Sequence, residues 1–168
     1  MRTKSEFLAE LQSWHGTPYK HGVSIRGQGV DCVRFVVSML EWLHGREASA
    51  NCIPFDFPAQ AAYCAQFPAI EVFNWMTSRY PNHKGGIVFR KGRDLEVPIL
   101  QPLDVLVLEH TDDEPVHMMI CGFDGRVWHS NNSSSGGKVS WTGLTEQMRS
   151  AIWCVWRVDA AAKGLAES

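Results

Sequence analysis

Apolar residues in the first half of the chain recur with helical spacing and are separated by polar and glycine-rich stretches. The first such pattern predicts a helix over residues 4–14, with Ser5 available as its N-terminal cap; its apolar positions are Phe7, Leu8, Leu11 and Trp14. A loop with four glycines follows, and Asp31 then occupies the N-cap position of a second apolar helix that ends near Gly45. Residues 58–80 have a helical pattern in two pieces, broken around Pro68.

The pattern changes after residue 102, where short β-branched and aromatic segments alternate with turn residues. These segments predict five strands: LDVLVLEH, VHMMICGF, GRVWHS, KVSWTG and AIWCVWRV. The Asp124–Gly125 pair predicts a hairpin between the second and third of them, and one further short strand is expected between residues 81 and 98. Helices followed by strands indicate an α+β fold in which N-terminal helices pack against a C-terminal antiparallel sheet.

A chain of 168 residues with 45% hydrophobic and 20% charged residues is typical of one globular domain. We therefore expect a single domain over residues 1–160, with residues 46–99 as a helical and loop insert and residues 161–168 as a flexible tail. The opening residues contain no apolar signal core, and no stretch approaches the roughly 20 apolar residues of a membrane helix. These features predict cytoplasmic synthesis without a signal peptide, and no membrane partner.

Charge and cysteine usage argue against several other classes of protein. Lys and Arg (16 residues) nearly balance Asp and Glu (18 residues) and form no basic stripe, so nucleic acid is not an expected partner. The five cysteines form no close pairs, which argues against a disulfide framework and suits no zinc ribbon or finger. We therefore expect neither a metal ion nor another cofactor.

Cys32 differs from the other cysteines because it directly follows the capping Asp31 at the start of a predicted helix. Unpaired backbone N–H groups and the positive end of the helix dipole favour a thiolate at this position. The same N–H groups can stabilise the oxyanion that forms when a thiolate attacks a carbonyl carbon. The other cysteines lie in a predicted helix or strands, as small core residues do, except for one in a loop: Cys64, Cys121, Cys154 and, in the loop, Cys52. The alternative is that Cys32 is itself a core residue.

A thiol nucleophile needs a general base and a group that orients the base. His117 opens a predicted strand, and His129 lies twelve residues later near the end of the next strand, across the hairpin turn. Antiparallel neighbours arranged in this way can bring both imidazoles to one edge of the sheet. If the helix that starts at Cys32 packs at that edge, the three residues form a nucleophile, a base and an orienting group. The alternative is two histidines on ordinary strands with no mutual contact.

Four segments, in this order, resemble the NlpC family of papain-like cysteine peptidases, which cut bacterial cell-wall peptides. SWHGTPYKHG matches the family's Trp–x–Gly–Thr–Pro–Tyr sequence, and Asp31–Cys32 matches its nucleophile motif. QPLDVLVL matches a Pro–Gly–Asp strand, and VHMMICGFDGRVWHS matches the two strands that carry the family's histidines. The resemblance covers residues 5–45 and 100–158. The Tyr–Lys–His stretch at residues 19–21 is more similar to members encoded with phage tails and gene-transfer particles.

The resemblance implies a papain-like fold and a role for each matched residue. Cys32 would attack the substrate, His117 would act as base and then as acid, and His129 would orient the ring of His117. Tyr19 would line the site beside the nucleophile, while Asp31 would cap the helix and contact the substrate. The implied substrate is the stem peptide of peptidoglycan, cut between D-glutamate and a diamino acid.

The sequence also departs from the family pattern. Val33–Arg34 replaces the Ser–Gly that follows the nucleophile, which affects recognition of the free amine of a stem peptide. Arg34 could pair with a substrate carboxylate if it points toward the cleft, but solvent exposure is the expected case. Leu103 replaces the glycine of Pro–Gly–Asp. Trp128, beside His129, is expected near the cleft, whereas packing explains most of the other tryptophans.

The leading hypothesis is a thiol endopeptidase or amidase that acts through a covalent acyl-enzyme. One alternative is a structural or binding component of a phage tail that has lost the chemistry and has phage tail proteins as its partners. Another is an acyltransferase or deamidase that uses the same Cys–His site. A phage protein that is carried by its particle or released at lysis needs no signal peptide. The absence of a signal core in the opening residues is therefore compatible with an enzyme that reaches the cell wall by either route.

Overall fold

The computed structural model describes residues 2–43, 45, 78, 86–109, 115–133 and 136–158. The predicted two-piece helical segment lies outside the described residues, apart from the helical Ser78, and so does the predicted tail. Within the described part of the chain, no helix has the length and apolar character needed to span a bilayer.

Helix α1 spans Lys4–Trp14, as the sequence predicts, but its cap is Thr3 and not Ser5. The Thr3 hydroxyl accepts a hydrogen bond from the backbone N–H of Glu6 (3.2 Å), and the Glu6 carboxylate accepts one from the backbone N–H of Thr3 (2.6 Å). This reciprocal capping box is available only to the residue that precedes the first turn, and Ser5 already lies inside the helix. The apolar side of α1 is fully buried at Phe7, Leu11 and Trp14.

The predicted glycine-rich loop contains a short antiparallel pair, β1 (Ser24–Ile25) and β2 (Gly29–Val30). Helix α2 follows directly and spans Cys32–Leu43, close to its predicted bounds. All twelve of its residues are buried, because α1, the sheet and the preceding loop surround it. Asp31 caps it as expected, since its Oδ1 atom accepts a hydrogen bond from the backbone N–H of Arg34 at 2.9 Å.

The second half of the described chain forms a six-stranded antiparallel sheet with the order β3-β8-β4-β5-β6-β7. The strands are β3 (Gly86–Arg90), β4 (Val105–Glu109), β5 (Pro115–Cys121), β6 (Val127–Ser130), β7 (Val139–Thr142) and β8 (Ile152–Arg157). All six predicted strands are therefore confirmed, and so is the α+β class. Helix α3 (Glu146–Ser150) was not predicted, because a turn and a half is too short to produce a periodic signal in the sequence.

The two faces of this sheet contact different parts of the protein. The face against α2, called the helix face here, carries Val107, Met118 and Trp128 and belongs to the larger core. The other face, called the opposite face, carries Leu108, Met119 and Val127 and packs with Met148 of α3 in a second core. Alternation along each strand assigns neighbouring residues to different faces, so the sheet is buried on both sides over its central strands.

The turn before β4 places a bulky residue in an unusual backbone conformation. Leu103 has φ +71°, the left-handed region that glycine adopts readily and other residues avoid. Its side chain is fully buried in the larger core, and its backbone N–H donates to the carbonyl of Cys121 at 2.8 Å. Burial of the leucine side chain thus offsets a conformational cost of about 1–2 kcal/mol.

We expect Leu103→Gly and Leu103→Ala both to lower the free energy of unfolding, by about 2–5 kcal/mol, because each removes a buried side chain. The glycine variant should be the more stable of the two by about 1 kcal/mol, since only glycine relieves the backbone strain. Urea unfolding followed by tryptophan fluorescence measures the difference. The matched control is Leu106, a fully buried residue within β4, where the alanine variant should be the more stable one. If the same variant, glycine or alanine, were the more stable one at both positions, the strain argument would be contradicted.

Candidate active site

His117 and His129 are in direct contact. His117 Nε2 lies 2.7 Å from His129 Nδ1, and the two rings meet edge to face with centroids 5.0 Å apart. The contact forms because the start of β5 and the end of β6 are neighbours in the antiparallel pair. The juxtaposition expected from the sequence is therefore confirmed, whereas the catalytic roles of the two residues remain predictions.

Both imidazoles are held in the neutral form. Burial, together with charge repulsion from the neighbouring His129, lowers the pKa of His117 to about 3. Burial also lowers the pKa of His129 below its ordinary value. A neutral imidazole has one N–H donor and one acceptor nitrogen, so one ring of the pair donates to the other and each keeps a second nitrogen for another contact.

The start of α2 is attached to the same end of the sheet. The Ser130 hydroxyl, next to His129 in β6, donates a buried 2.8 Å hydrogen bond to the carbonyl of Val30, two residues before Cys32. Val30 also donates its backbone N–H to the carbonyl of Pro18 at 3.0 Å. These bonds place the first turn of α2 at the end of the sheet where the two histidines meet. Ser130 was not among the predicted site residues, although its position directly after a candidate histidine was an available signal.

Cys32 lies on the helix-face side of the sheet and is 4% exposed. His117 pairs with Leu108 in the register of β4 and β5, and His129 lies between Trp128 and Ser130, which belong to the helix face. Alternation therefore assigns both histidines to the opposite face. Because the sheet separates its two faces, the Cys32 sulfur and an imidazole can meet only at the end of β5 and β6, beyond the edge of the sheet.

Tyr19 belongs to an extended segment that continues the sheet beyond β7. Gly16 donates its N–H to the carbonyl of Val139 at 2.9 Å, Val139 donates to Thr17 at 2.8 Å, and Tyr19 donates to Gly137 at 2.7 Å. Tyr19 also forms a parallel bridge with Val30, which places it beside the residues that lead into α2. Its predicted role in lining the site stays a prediction.

Arg34 is buried, so the expectation that it is exposed to solvent is wrong. Its side chain is 9% exposed and donates through Nη1 to Oδ2 of the fully buried Asp31 at 2.9 Å. The carboxylate of Asp31 compensates the unfavourable position of a cation in the first helical turn. Asp31 also accepts a hydrogen bond from the backbone N–H of Gly22 at 2.9 Å, which holds the preceding loop. The substrate-binding roles predicted for Asp31 and Arg34 are untested, and both side chains serve here in fixing the helix start.

Trp128 is a core residue in the structure, and this differs from its predicted place near the cleft. It is 2% exposed and projects to the helix face, away from the side that alternation assigns to His129. The ring of His15 packs against it edge-on, with 6.3 Å between centroids. Adjacent residues in a strand point to opposite sides, so its sequence position beside His129 does not place it beside the imidazole.

The remaining cysteines and histidines divide between the core, the surface and the undescribed parts of the chain. Cys121 and Cys154 are buried in strands, as predicted, and burial raises the pKa of each thiol to about 12. His15 and His21 are exposed. The other five lie outside the described residues: Cys52, Cys64, His44, His83 and His110. Among the described side chains, no group of three or more potential ligands could hold a metal ion.

Comparisons with known proteins give limited results. No family model matches the sequence, and no curated protein matches it. Among solved structures, the chain is similar to one from Staphylococcus aureus subsp. aureus Mu50 described as "similar to lipoprotein, NLP/P60 family", with 14% sequence identity and a TM-score of 0.49. The match covers 92% of this chain and 41% of that one, so this chain spans less than half the length of the protein it resembles. At this identity and TM-score the comparison assigns neither a family nor a function.

The histidine pair predicts a loss of stability in mild acid. The unfolded chain takes up protons on these imidazoles near the ordinary pKa of 6.5, whereas the folded protein takes them up at lower pH, for His117 at about 3. The unfolded state therefore binds more protons as the pH falls below 6.5, and the free energy of unfolding decreases through that window. Above it, both states are neutral and the pair contributes no pH dependence.

Urea unfolding between pH 7 and pH 4 tests this expectation. The double variant His117→Gln and His129→Gln should lose stability less steeply with falling pH than the wild type. A matched double variant at the exposed His15 and His21, also changed to Gln, should keep the wild-type slope. Equal slopes in all three proteins would show that the buried imidazoles do not control the acid response.

Proposed function

We propose that the protein is a cysteine endopeptidase or amidase of NlpC type that hydrolyses stem peptides of the bacterial cell wall. The observation that carries the proposal is the hydrogen-bonded pair of His117 and His129 at the end of the sheet to which the start of α2 is attached. The ordered motifs around Cys32 and the two histidines support the same class of chemistry. The D-glutamate to diamino acid bond is the substrate bond that the family resemblance implies.

The mechanism follows from which nitrogen of His117 is not engaged by His129. Since Nε2 of His117 is engaged by His129, Nδ1 of His117 is the nitrogen that would take the thiol proton of Cys32. The thiolate would then attack the scissile carbonyl carbon, and backbone N–H groups of the first turn of α2 would donate to the oxyanion. His117 would return its proton to the leaving amine, giving a thioester. Water, deprotonated by His117, would hydrolyse the thioester and release the acid and the free thiol.

His129 would act by orienting the ring of His117 and by stabilising its protonated form. The low pKa of His117 reflects its burial and the neighbouring His129. A thiolate at Nδ1 would raise the proton affinity of the ring, because an opposite charge within a few ångströms favours the charged form. No cofactor is needed for any step of this scheme.

The second candidate is a binding or structural protein with this fold, as in a component of a phage tail. Two features favour it: Cys32 is 4% exposed, and strand alternation assigns the histidines to the opposite face of the sheet. The family's serine after the nucleophile is also replaced, here by Val33, which is buried. An acyltransferase or deamidase would use the same thiol and imidazole, and it differs only in the acceptor or the amide that it uses.

Cleavage of purified muropeptides, followed by mass spectrometry, tests the proposal. Wild-type protein should release stem-peptide fragments, and Cys32→Ala and His117→Gln should each reduce the rate by about a thousandfold or more, because nucleophile and base act as a unit. His15→Gln, an exposed histidine outside the site, is the matched control and should cleave normally. If no muropeptide chemotype is cut by the wild type, the hydrolase proposal is wrong.

Iodoacetamide labelling of the same proteins separates an enzyme with another substrate from a binding protein. An activated Cys32 should react well below pH 8.5, the ordinary thiol value, and His117→Gln should abolish that reactivity. Peptide mapping identifies the labelled cysteine. Ordinary reactivity of Cys32, together with no cleavage, would support the binding protein. Labelling of Cys32 well below pH 8.5 without cleavage of any muropeptide would support the acyltransferase or deamidase.

A further inference from the structure

A cavity of about 460 Å³ lies on the opposite face of the sheet, at the hairpin that joins β5 to β6. This volume is in the usual range for small-molecule sites. Most of the wall is apolar, from the segment before β4, the hairpin and the chain before α3: Val97, Leu100, Phe123, Val127 and Leu144.

The segment that forms one wall is fixed by a partly buried ion pair. Arg157 donates through Nε and Nη2 to the two carboxylate oxygens of the fully buried Asp104, each at 2.8 Å. Arg157 Nη2 also donates to the carbonyl of Ile99 at 3.0 Å, and the backbone N–H of Gln101 donates to Asp104 at 2.8 Å. The wall is thus held in place by the protein itself, so a ligand would enter a preformed site.

Among the described residues that line this cavity, the charged ones are both arginines, Arg126 and Arg149. The guanidinium carbon of Arg126 lies 3.6 Å from the centroid of the Trp141 ring, and its Nε lies 3.7 Å from Oδ2 of Asp124. Arg149 is half-buried at the end of α3, and no group within the described part of the chain pairs with its guanidinium. An unpaired cation on an apolar wall favours an anion that brings an apolar body with it.

We propose that this cavity binds a small amphipathic carboxylate, with its apolar body against Phe123, Val127 and Leu144 and its carboxylate paired with Arg149. Arg126 supplies a second positive charge at the same site. Cys121 also lines the cavity, and burial raises the pKa of its thiol to about 12, so it adds no negative charge that would repel the ligand.

This site is separate from the candidate active site. The cavity lies at Cys121 and Val127, and the histidine pair lies at the other ends of the same two strands. Along β5, Cys121 is four positions from His117, roughly 13 Å at 3.3 Å per residue, and along β6, Val127 is two positions from His129, roughly 7 Å. The inference therefore goes beyond the proposed peptidase activity, and it stands or fails independently of it.

Titration of the ¹⁵N-labelled protein with 4-phenylbutyrate, with its neutral amide 4-phenylbutyramide as the matched probe, tests the proposal. The carboxylate should bind with a Kd on the order of 1 mM, as expected for a ligand of this size, and should shift the amide signals of Gly122, Gly125 and Leu144. The amide should bind about tenfold more weakly, because it cannot form the charged pair. Equal affinity for both probes, shifts confined to other residues, or no shifts at 10 mM would each overturn the proposal.

A variant pair gives a second, independent readout. Arg149→Gln should weaken binding of the carboxylate by about tenfold to a hundredfold and leave binding of the amide unchanged. Arg93→Gln removes the same charge from an exposed arginine that pairs with Asp94 and does not line the cavity, so it should bind like the wild type. An equal loss of affinity in both variants would show a general charge effect and contradict a specific pair. The spectrum of each variant reports whether it is folded.

Discussion

The carbonyl oxygen of Val30 accepts the hydroxyl of Ser130, and this buried hydrogen bond joins the start of α2 to the end of β6. The same residue donates its backbone N–H to Pro18, so the chain before the helix is fixed from both sides. The position of α2 at the candidate site depends on this attachment. It determines where the N–H groups of the first turn of α2 lie relative to the sheet end at which His117 and His129 meet.

Most of the architecture could be predicted from the sequence, because the periods of apolar residues differ clearly between the two halves of the chain. The helices that start at Lys4 and Cys32 and the six strands all have strong local patterns. The pairing of His117 with His129 was also predictable, since a short hairpin between two strands fixes their register. Thr3 was a less obvious cap than Ser5, because the choice between them depends on the backbone turn that precedes the helix.

The sequence did not predict which way individual side chains point. The burial of Arg34 depends on its ion pair with Asp31, three residues earlier, although that spacing on a helix is visible in the sequence. Trp128 and His129 are adjacent in the sequence motif, but strand alternation assigns them to opposite faces of the sheet. The side chain of Leu103 was equally hard to place. Glycine at this position of the family pattern indicates a left-handed backbone, but it does not indicate that a leucine side chain fills the core there.

The imidazole pair has a consequence for the tautomers of the two rings. If the shared hydrogen is on Nε2 of His117, then Nδ1 of that ring is a lone pair and Nε2 of His129 must carry a hydrogen. If the shared hydrogen is on Nδ1 of His129, both outer nitrogens change roles. The tautomeric state of one ring is thus transmitted to the other, and a hydrogen-bond acceptor at the far nitrogen of His129 makes the far nitrogen of His117 an acceptor without touching it.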